Sequence, residues 1–205
     1  FHPGVCQNLP TCRRGYSHRN PEVLESNPKP TLSLMTLADP VSLEQIRSRL
    51  RNLNLPLNSK VQKRASVLIP LRQIAGELHL LFTQRASHLN SHSGQVAFPG
   101  GKQDAHDRSA LETGLRECEE EIGLAPEQVE CLGRIDQIIS LYSYLVTPFV
   151  AVIDPDFTPR PNLEETDAVF EVPLSFFLNP AHHTSEEISY EYPQLSHHFH
   201  FGSYD

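Results

Sequence analysis

The chain has 205 residues, 39% of them hydrophobic, and a formal net charge of −8. This length suits one domain with its own core, and no apolar run approaches the roughly eighteen residues that a membrane-spanning helix needs. The negative charge argues against binding to nucleic acid phosphates, and four scattered cysteines argue against a disulfide scaffold. We therefore expect a soluble, cytoplasmic protein.

Residues 1–34 hold five prolines and show no sustained hydrophobic periodicity. The single methionine of the chain is Met35. This composition indicates a disordered extra segment, so we expect the folded domain to span residues 35–205.

Apolar segments follow along the rest of the chain. Residues 42–53 carry apolar side chains at the spacing of an amphipathic helix, and several later runs are strand-like. We expect the segment RQIAGE to be a hairpin loop and Pro148 to mark an edge or a bulge. The irregular order of helices and strands predicts a mixed sheet covered by helices. The predicted strands are residues 65–71, 78–83, 95–98, 129–139 and 144–153.

The segment RECEEEIGL, residues 116–124, ends a predicted helix. Asp107 or Ser109 can cap the start of this helix, Ser109 with Glu112 forms a capping box, and Gly123 ends it. At 100° per residue, one stripe of the helix is apolar and is predicted to be buried. That stripe contains Leu111, Leu115, Cys118 and Ile122.

Three carboxylates share the flank of this helix that faces away from the apolar stripe. Glu117, Glu120 and Glu121 span only about 100° around the axis, and Arg116 stands four residues before Glu120. Divalent cations such as Mg²⁺ prefer carboxylate oxygens. The alternative is an ordinary solvated charged face. The preceding Pro-Gly-Gly turn favours a metal site, because a glycine backbone can approach an ion closely.

These residues resemble a known family. The stretch GGKQDAHDRSALETGLRECEEEIGL, residues 100–124, resembles the Nudix box, and LLFTQRASHLNSHSGQVAFPGG, residues 80–101, resembles the extra signature of the coenzyme A pyrophosphatase branch. The later YLVTPFVAVI also looks like that branch. The resemblance implies an α/β fold, namely an α/β/α sandwich with a mixed sheet.

The resemblance also implies a set of site residues. The glutamates are expected to bind Mg²⁺ or Mn²⁺ together with the carbonyl of Gly100 or Gly101, and Arg116 is expected to steady the carboxylates. Arg85, His92 and Lys102 are expected to bind the substrate, although Arg85 and Lys102 could equally be ordinary surface charges. The implied metal ligands and catalytic residues are Glu117, Glu120, Glu121, Arg116 and Gly101.

The implied reaction is hydrolysis of the pyrophosphate bond of coenzyme A or its thioesters, which yields 3′,5′-ADP and 4′-phosphopantetheine or its acyl form. A box glutamate or a residue on a later loop would accept the proton of the attacking water. The alternatives are a Nudix hydrolase of another nucleotide and an inactive truncated product. The expected partner is a small molecule, without nucleic acid or membrane, and the chain is a monomer or a homodimer.

The chain departs from the family pattern at three places. Gly114 stands where the family usually has alanine, at a helix-interior cost of about 1 kcal/mol. Asn90 replaces an arginine of the upstream signature. Relatives continue beyond FHFGSYD, so we expect a C-terminal truncation that removes a helix covering one face of the sheet.

Five histidines and two cysteines are not expected to bind a metal or take part in the reaction. The histidines of the last third are expected to face solvent rather than bind a metal. They form two groups that are separated along the chain, and strand alternation places His197 on the opposite side from His198 and His200. Cys118 and Cys131 are expected to lie in the core. The histidines concerned are His182, His183, His197, His198 and His200.

Overall fold

The structure is a computed structural model that describes residues 41–53, 55–56, 61–89, 93–140, 142–188 and 194–199. The backbone alone is described for residues 185–188 and 194–199. The helices are α1 (Leu43–Arg51), α2 (Ala110–Ile122) and α3 (Leu174–Leu178). The strands are β1 (Arg64–Ile74), β2 (Glu77–Arg85), β3 (Val96–Ala97), β4 (Gly100–Lys102), β5 (Val129–Arg134), β6 (Ile138–Ile139), β7 (Leu145–Ile153), β8 (Thr166–Pro173), β9 (His183–Ile188) and β10 (Gln194–Phe199).

Within the described residues, eight strands form one mixed sheet. Its main path runs β3-β2-β1-β7-β5, and β4, β6 and β8 pair with β1, β7 and β2. The central pair β1 and β7 is parallel, whereas the other pairs are antiparallel. Strands β9 and β10 form a separate antiparallel pair. The predicted mixed sheet is confirmed.

Helices cover both faces of the sheet. On one face, Cys118 and Ile122 of α2 pack with Leu68 and Leu81 in a fully buried cluster. On the other face, apolar side chains of α1 and α3 pack against a second cluster that includes Leu71 and other strand residues. The α/β/α arrangement is therefore confirmed, with the core divided into two halves by the sheet. No helix among the described residues is long and apolar enough to span a membrane.

The first hairpin is tighter than predicted. Strands β1 and β2 extend through most of the segment RQIAGE, and Ile74 pairs with Glu77. Only Ala75 and Gly76 remain as the turn, with φ angles of 49° and 89°. Two positive φ values are typical of the two-residue turns that match the twist of a hairpin. The predicted six-residue loop is wrong, because a two-residue turn was already available at the glycine.

The strands near the prolines differ in detail from the prediction. The predicted strand 95–98 is present as β3 and ends before Pro99, but a further strand follows, since Gly100–Lys102 forms β4 and pairs with Ser66 and its neighbours on β1. Pro148 lies inside the sheet rather than at an edge, since it pairs with Val67 of β1. On the side of β7 away from β1, Pro148 lies opposite the gap between β5 and β6. The predicted strand 129–139 is split at that gap.

The ends of helix α2 agree with the prediction better than its buried face does. The side chain of Ser109 accepts a hydrogen bond from the backbone N–H of Glu112, and Gly123 adopts the left-handed conformation at the C-cap. The Glu112 carboxylate accepts from the N–H of Arg108 instead of closing a capping box. Thr113 and Gly114 are buried, whereas Leu111 and Leu115 are only partly buried.

Several expectations lie outside the described residues. These are the disorder of residues 1–34, the roles of Asn90 and His92, and the end of the chain. Among the cysteines, Cys118 is buried as expected, but Cys131 is exposed, so its predicted core position is wrong.

Candidate metal and substrate site

The box carboxylates lie against the backbone of β4. The N–H of Gly100 donates a hydrogen bond of 3.1 Å to Oε2 of Glu121. A Cβ atom placed on Gly101 would overlap the carboxylate of Glu117. The two glycines therefore allow the backbone of β4 to lie directly against the Glu117 and Glu121 carboxylates of α2.

Arg116 links the carboxylates to one another and to β4. Its Nη1 donates to Oε2 of Glu120 at 2.9 Å, and its Nη2 donates to Oε1 of Glu117 at 3.0 Å. The same Nη2 lies 3.1 Å from the carbonyl oxygen of Lys102. The planar guanidinium suits this role, because its donors have a fixed geometry. The expected steadying contacts of Arg116 are present.

Asp107 holds Arg116 from the other side, which sequence reasoning missed. Its carboxylate accepts from Nε and Nη2 of Arg116 at 3.0 and 3.1 Å, and its side chain is only 4% exposed. Oδ2 also accepts from Thr113 Oγ1 and from the N–H of Asp104. The guanidinium hydrogen bond is the main cause that lowers the pKa of Asp107 to about 2. Asp107 is thus a permanently charged support for Arg116 at neutral pH.

Burial opposes ionisation of two box glutamates. It raises the pKa of Glu121 to about 7, against the opposing hydrogen bond from Gly100. Burial also raises the pKa of Glu117, against the attraction of Arg116. The negative charge of Glu117 adds to the rise for Glu121, and the negative charge of Glu120 adds to the rise for Glu117. Such a pair needs a positive partner at neutral pH, and a divalent cation can supply it.

A fourth carboxylate approaches from a later loop. Negative charge on Glu165 raises the pKa of both Glu117 and Glu121. The loop is tied to α2, since the N–H of Asn162 donates to the carbonyl of Glu121 at 2.8 Å. It is also tied to the end of β2, since the carbonyl of Glu165 accepts from Ala86. The acidic stretch NLEET was the only sequence signal for this residue.

The donor chemistry fits a divalent cation, although the carboxylates do not converge as predicted. Among the described side chains, no three or more histidine, cysteine or acidic groups are gathered in metal-binding geometry. Glu120 turns its 56% exposed carboxylate to Arg116, and Glu121 turns to the Gly100 amide. Oxygen ligands, excess negative charge and an open glycine backbone are what Mg²⁺ or Mn²⁺ requires.

Arg85 and Lys102, the two expected substrate residues that the structure describes, lie in different surroundings. Arg85 ends β2 and favours the charged form of Glu121, so it lies on the side of the carboxylates. Lys102 is exposed at the end of β4, where its ammonium group lies 5.6 Å from the ring centre of Tyr144.

Comparison with known proteins identifies the family of the chain. The sequence profile of the NUDIX domain matches residues 62–191. The mouse peroxisomal coenzyme A diphosphatase NUDT7 is 42% identical over 124 residues, which cover 60% of this chain and 52% of that protein. The Nudix hydrolase NudL of Escherichia coli (strain K12) is 42% identical over 137 residues, which cover 66% of this chain and 71% of NudL. The chain thus spans about half the length of the mouse relative.

Solved structures of similar topology have lower sequence identity. The Nudix hydrolase RenU from M. smegmatis is 21% identical with a TM-score of 0.46. The match covers 54% of this chain and 70% of the RenU chain. The NUDIX domain of Shewanella oneidensis NrtR, crystallised with ADP ribose, is 22% identical with a TM-score of 0.46. The match covers 64% of this chain and 84% of the NrtR domain chain. The family assignment therefore rests on the sequence match, which spans more than half of the chain. On that match, the chain belongs to the Nudix family.

Proposed function

We propose that the chain hydrolyses the pyrophosphate bond of coenzyme A or its thioesters in a reaction that depends on Mg²⁺ or Mn²⁺. The products are 3′,5′-ADP and 4′-phosphopantetheine or its acyl form. One observation carries the proposal. Arg116 binds Glu117 and Glu120, and the Gly100 amide of β4 binds Glu121, so β4 and the arginine contact all three box glutamates.

Two similarities support the proposed substrate. The mouse relative that is 42% identical is named a coenzyme A diphosphatase. Residues 80–101 resemble the signature of the coenzyme A branch, and Arg85, Gly100 and Gly101 of this segment border the carboxylates. A nucleotide bound beside the metal site would therefore meet the segment that distinguishes this branch.

The chain's own groups divide the work of binding and proton transfer. Glu117, Glu120 and Glu121 would hold the metal together with the carbonyl of Gly100 or Gly101. When bound, the metal supplies positive charge that offsets the phosphate oxygens and acidifies a water molecule. Arg85, beside the carboxylates, would attract a phosphate oxygen.

Glu165 is our candidate for the group that accepts the proton of the attacking water. It is exposed, so it can pass that proton to solvent, and it is close enough to Glu117 and Glu121 to alter their pKa values. A carboxylate at the edge of a site meets the geometric need of a general base better than one engaged by Arg116 or Gly100.

The deciding experiment measures 3′,5′-ADP release from coenzyme A by the purified chain with and without Mg²⁺ or Mn²⁺. Glu121→Gln is the test variant, and Glu119→Gln is the matched control because Glu119 is exposed on the same helix. We expect turnover that needs metal, is lost in Glu121→Gln and is retained in Glu119→Gln. Hydrolysis of other nucleotides but not coenzyme A would establish the alternative Nudix substrate, and no hydrolysis by folded protein would indicate an inactive product.

The cellular location stays a prediction. The sequence favours the cytoplasm, whereas the mouse relative is named peroxisomal. Localisation of the tagged protein in its own cells would distinguish these two compartments.

A further inference from the structure

Two lysines lie against one tyrosine on the side of the sheet away from the box glutamates. The Nζ atoms of Lys63 and Lys102 each lie 5.6 Å from the centre of the Tyr144 ring. Lys63 precedes β1, Lys102 ends β4 and Tyr144 precedes β7, so three separate segments supply the cluster. We call these residues the Lys-Tyr-Lys cluster.

A strained turn holds the tyrosine in place. The N–H of Tyr144 donates to Oγ of Ser140 at 3.2 Å, and the carbonyl of Tyr144 accepts from the N–H of Ser140 at 2.8 Å. Ser143, immediately before the tyrosine, has a φ of 62°, which is unfavourable for a residue other than glycine. Strained residues of this kind occur preferentially at functional sites, where the surrounding structure enforces them.

The cluster concentrates positive charge in a chain of net charge −8. Within the described residues, neither lysine forms an ion pair with a carboxylate. Both lysines are exposed, and Tyr144 is partly buried. Two cations beside one ring repel each other, and a bound anion relieves that repulsion. A phosphate monoester suits the cluster, since it carries nearly two negative charges at neutral pH.

The position of the cluster separates it from the bond that is cut. The carbonyl of Lys102 accepts from Arg116, so its backbone borders the box glutamates. Gly101 faces the Glu117 carboxylate. Because successive residues of a strand point to opposite faces, the Lys102 side chain extends to the other face of β4. A phosphate bound there is in reach of the same substrate molecule but is not the diphosphate held beside α2.

We propose that the Lys-Tyr-Lys cluster binds the ribose 3′-phosphate of the substrate, and thereby selects 3′-phosphorylated nucleotides over those without that group. This inference rests on the proposed coenzyme A activity. Lysine suits the task because its ammonium is a point charge that accepts a phosphate from many directions. The Tyr144 ring supplies a surface on which the adjacent base or ribose can pack.

The test compares two ligand pairs that differ only in the 3′-phosphate. Calorimetry measures binding of adenosine 3′,5′-bisphosphate and adenosine 5′-monophosphate, and kinetics compare kcat/KM for coenzyme A and dephospho-coenzyme A. The variants are Lys63→Met, Lys102→Met and the conservative Lys63→Arg. Arg51→Met is the matched control, because Arg51 is an exposed cation at the end of α1.

We expect the wild-type chain to prefer the 3′-phosphorylated member of each pair by about tenfold or more, as for a charge-assisted contact. Each methionine variant should lose most of that preference, and Lys63→Arg and Arg51→Met should keep it. Equal binding of both nucleotides by the wild type, or an unchanged preference in both methionine variants, would overturn the proposal. If coenzyme A is not hydrolysed at all, the proposed function fails, and the binding comparison still decides the role of the cluster.

Discussion

Gly101 and Glu117 face each other so closely that the Glu117 carboxylate occupies the space of an absent side chain at position 101. The adjacent Gly100 is confined differently. A Cβ there would overlap the carbonyl oxygen of Ser66 and the Cα of Val67, and its φ is 153°. One glycine therefore makes room for a functional group, whereas the other makes room for the neighbouring strand.

Gly101→Ala should reduce activity more than stability. The added methyl group meets the end of a flexible side chain, which can move at little cost to the fold, but the movement takes the carboxylate from its site. We expect kcat/KM with Mg²⁺ to fall on the order of 10–100-fold, the range for displaced metal-site groups, with a small change in Tm.

Gly100→Ala is the informative contrast. Its added methyl group meets backbone of β1, so the strand pairing must shift, and a large fall in Tm should accompany any loss of activity. Gly76→Asn is the control, since Gly76 has open space around it and asparagine tolerates positive φ. Full activity of a folded Gly101→Ala protein would contradict the close approach of β4 and Glu117.

Glu121 should make the metal-free protein less stable as pH rises. Its pKa is about 7 in the folded state and 4.5 as an ordinary glutamate. Between these values the folded chain retains a proton that the unfolded chain releases, so the stabilisation is full below pH 4.5 and is lost as pH rises through about 7. Thermal unfolding without metal should therefore show a Tm that falls from pH 5 to pH 8.

Glu121→Gln isolates this effect, because glutamine cannot ionise. Each kcal/mol corresponds to roughly 2–4 °C in a domain of this size, and we expect the metal-free variant to unfold several degrees above the wild type at pH 8. Added Mg²⁺ should narrow the gap by stabilising only the wild-type carboxylate. Identical Tm profiles of the two proteins across this pH range would show that Glu121 is ionised without penalty.

Gly114 and Ser66 should be coupled in stability. A Cβ at position 114 would lie 3.0 Å from the hydroxyl oxygen of Ser66, which is fully buried and donates to the carbonyl of Thr147 at 3.1 Å. Gly114→Ala alone gains up to about 1 kcal/mol of helix propensity and loses part of it to crowding. We expect the same change in a Ser66→Ala background to raise Tm by roughly 2–4 °C more.

A double-mutant cycle of four proteins, unfolded by heat or urea, measures this coupling. Strict additivity of the two substitutions would mean that the Ser66 hydroxyl turns away without cost and that crowding does not explain the glycine.

Glu165→Gln should slow turnover without weakening the fold. Glu165 is exposed, so we expect little change in Tm, whereas loss of a general base lowers kcat by about 10²–10⁴-fold. The pH profile of kcat should also lose its acidic limb. Glu164→Gln is the neighbouring exposed control. A fall in Tm with an unchanged pH profile would assign Glu165 a purely structural role.

Local chemistry made much of this protein predictable. The capping serine and the C-cap glycine of α2 depend on a few adjacent residues, and both were correctly predicted. Arg116 and the glutamates share one helix, so their neighbourhood followed from helical geometry. The approach of Glu165, by contrast, depends on a loop more than forty residues later, and no local rule predicts that distance.

Tertiary contacts explain the errors as well. Thr113 is buried because its hydroxyl donates to Asp107, which overrode its polarity. Pro148 lies inside the sheet because the partner strand is interrupted opposite it, so no strand N–H is required there. The contact of Thr113 comes from the loop just before its own helix and the surroundings of Pro148 come from other strands, and composition reveals neither.

The link between the 160–165 loop and α2 gives the site a mechanical property. The N–H groups of Arg160 and Asn162 donate to the carbonyls of Ile122 and Glu121, both at 2.8 Å, in the last turn of the helix. Fraying of that turn would remove two of the hydrogen bonds that hold the loop before Glu165, and movement of the loop would expose the helix end. We therefore expect opening of the C-terminal turn of α2 to be coupled to movement of the loop that carries Glu165.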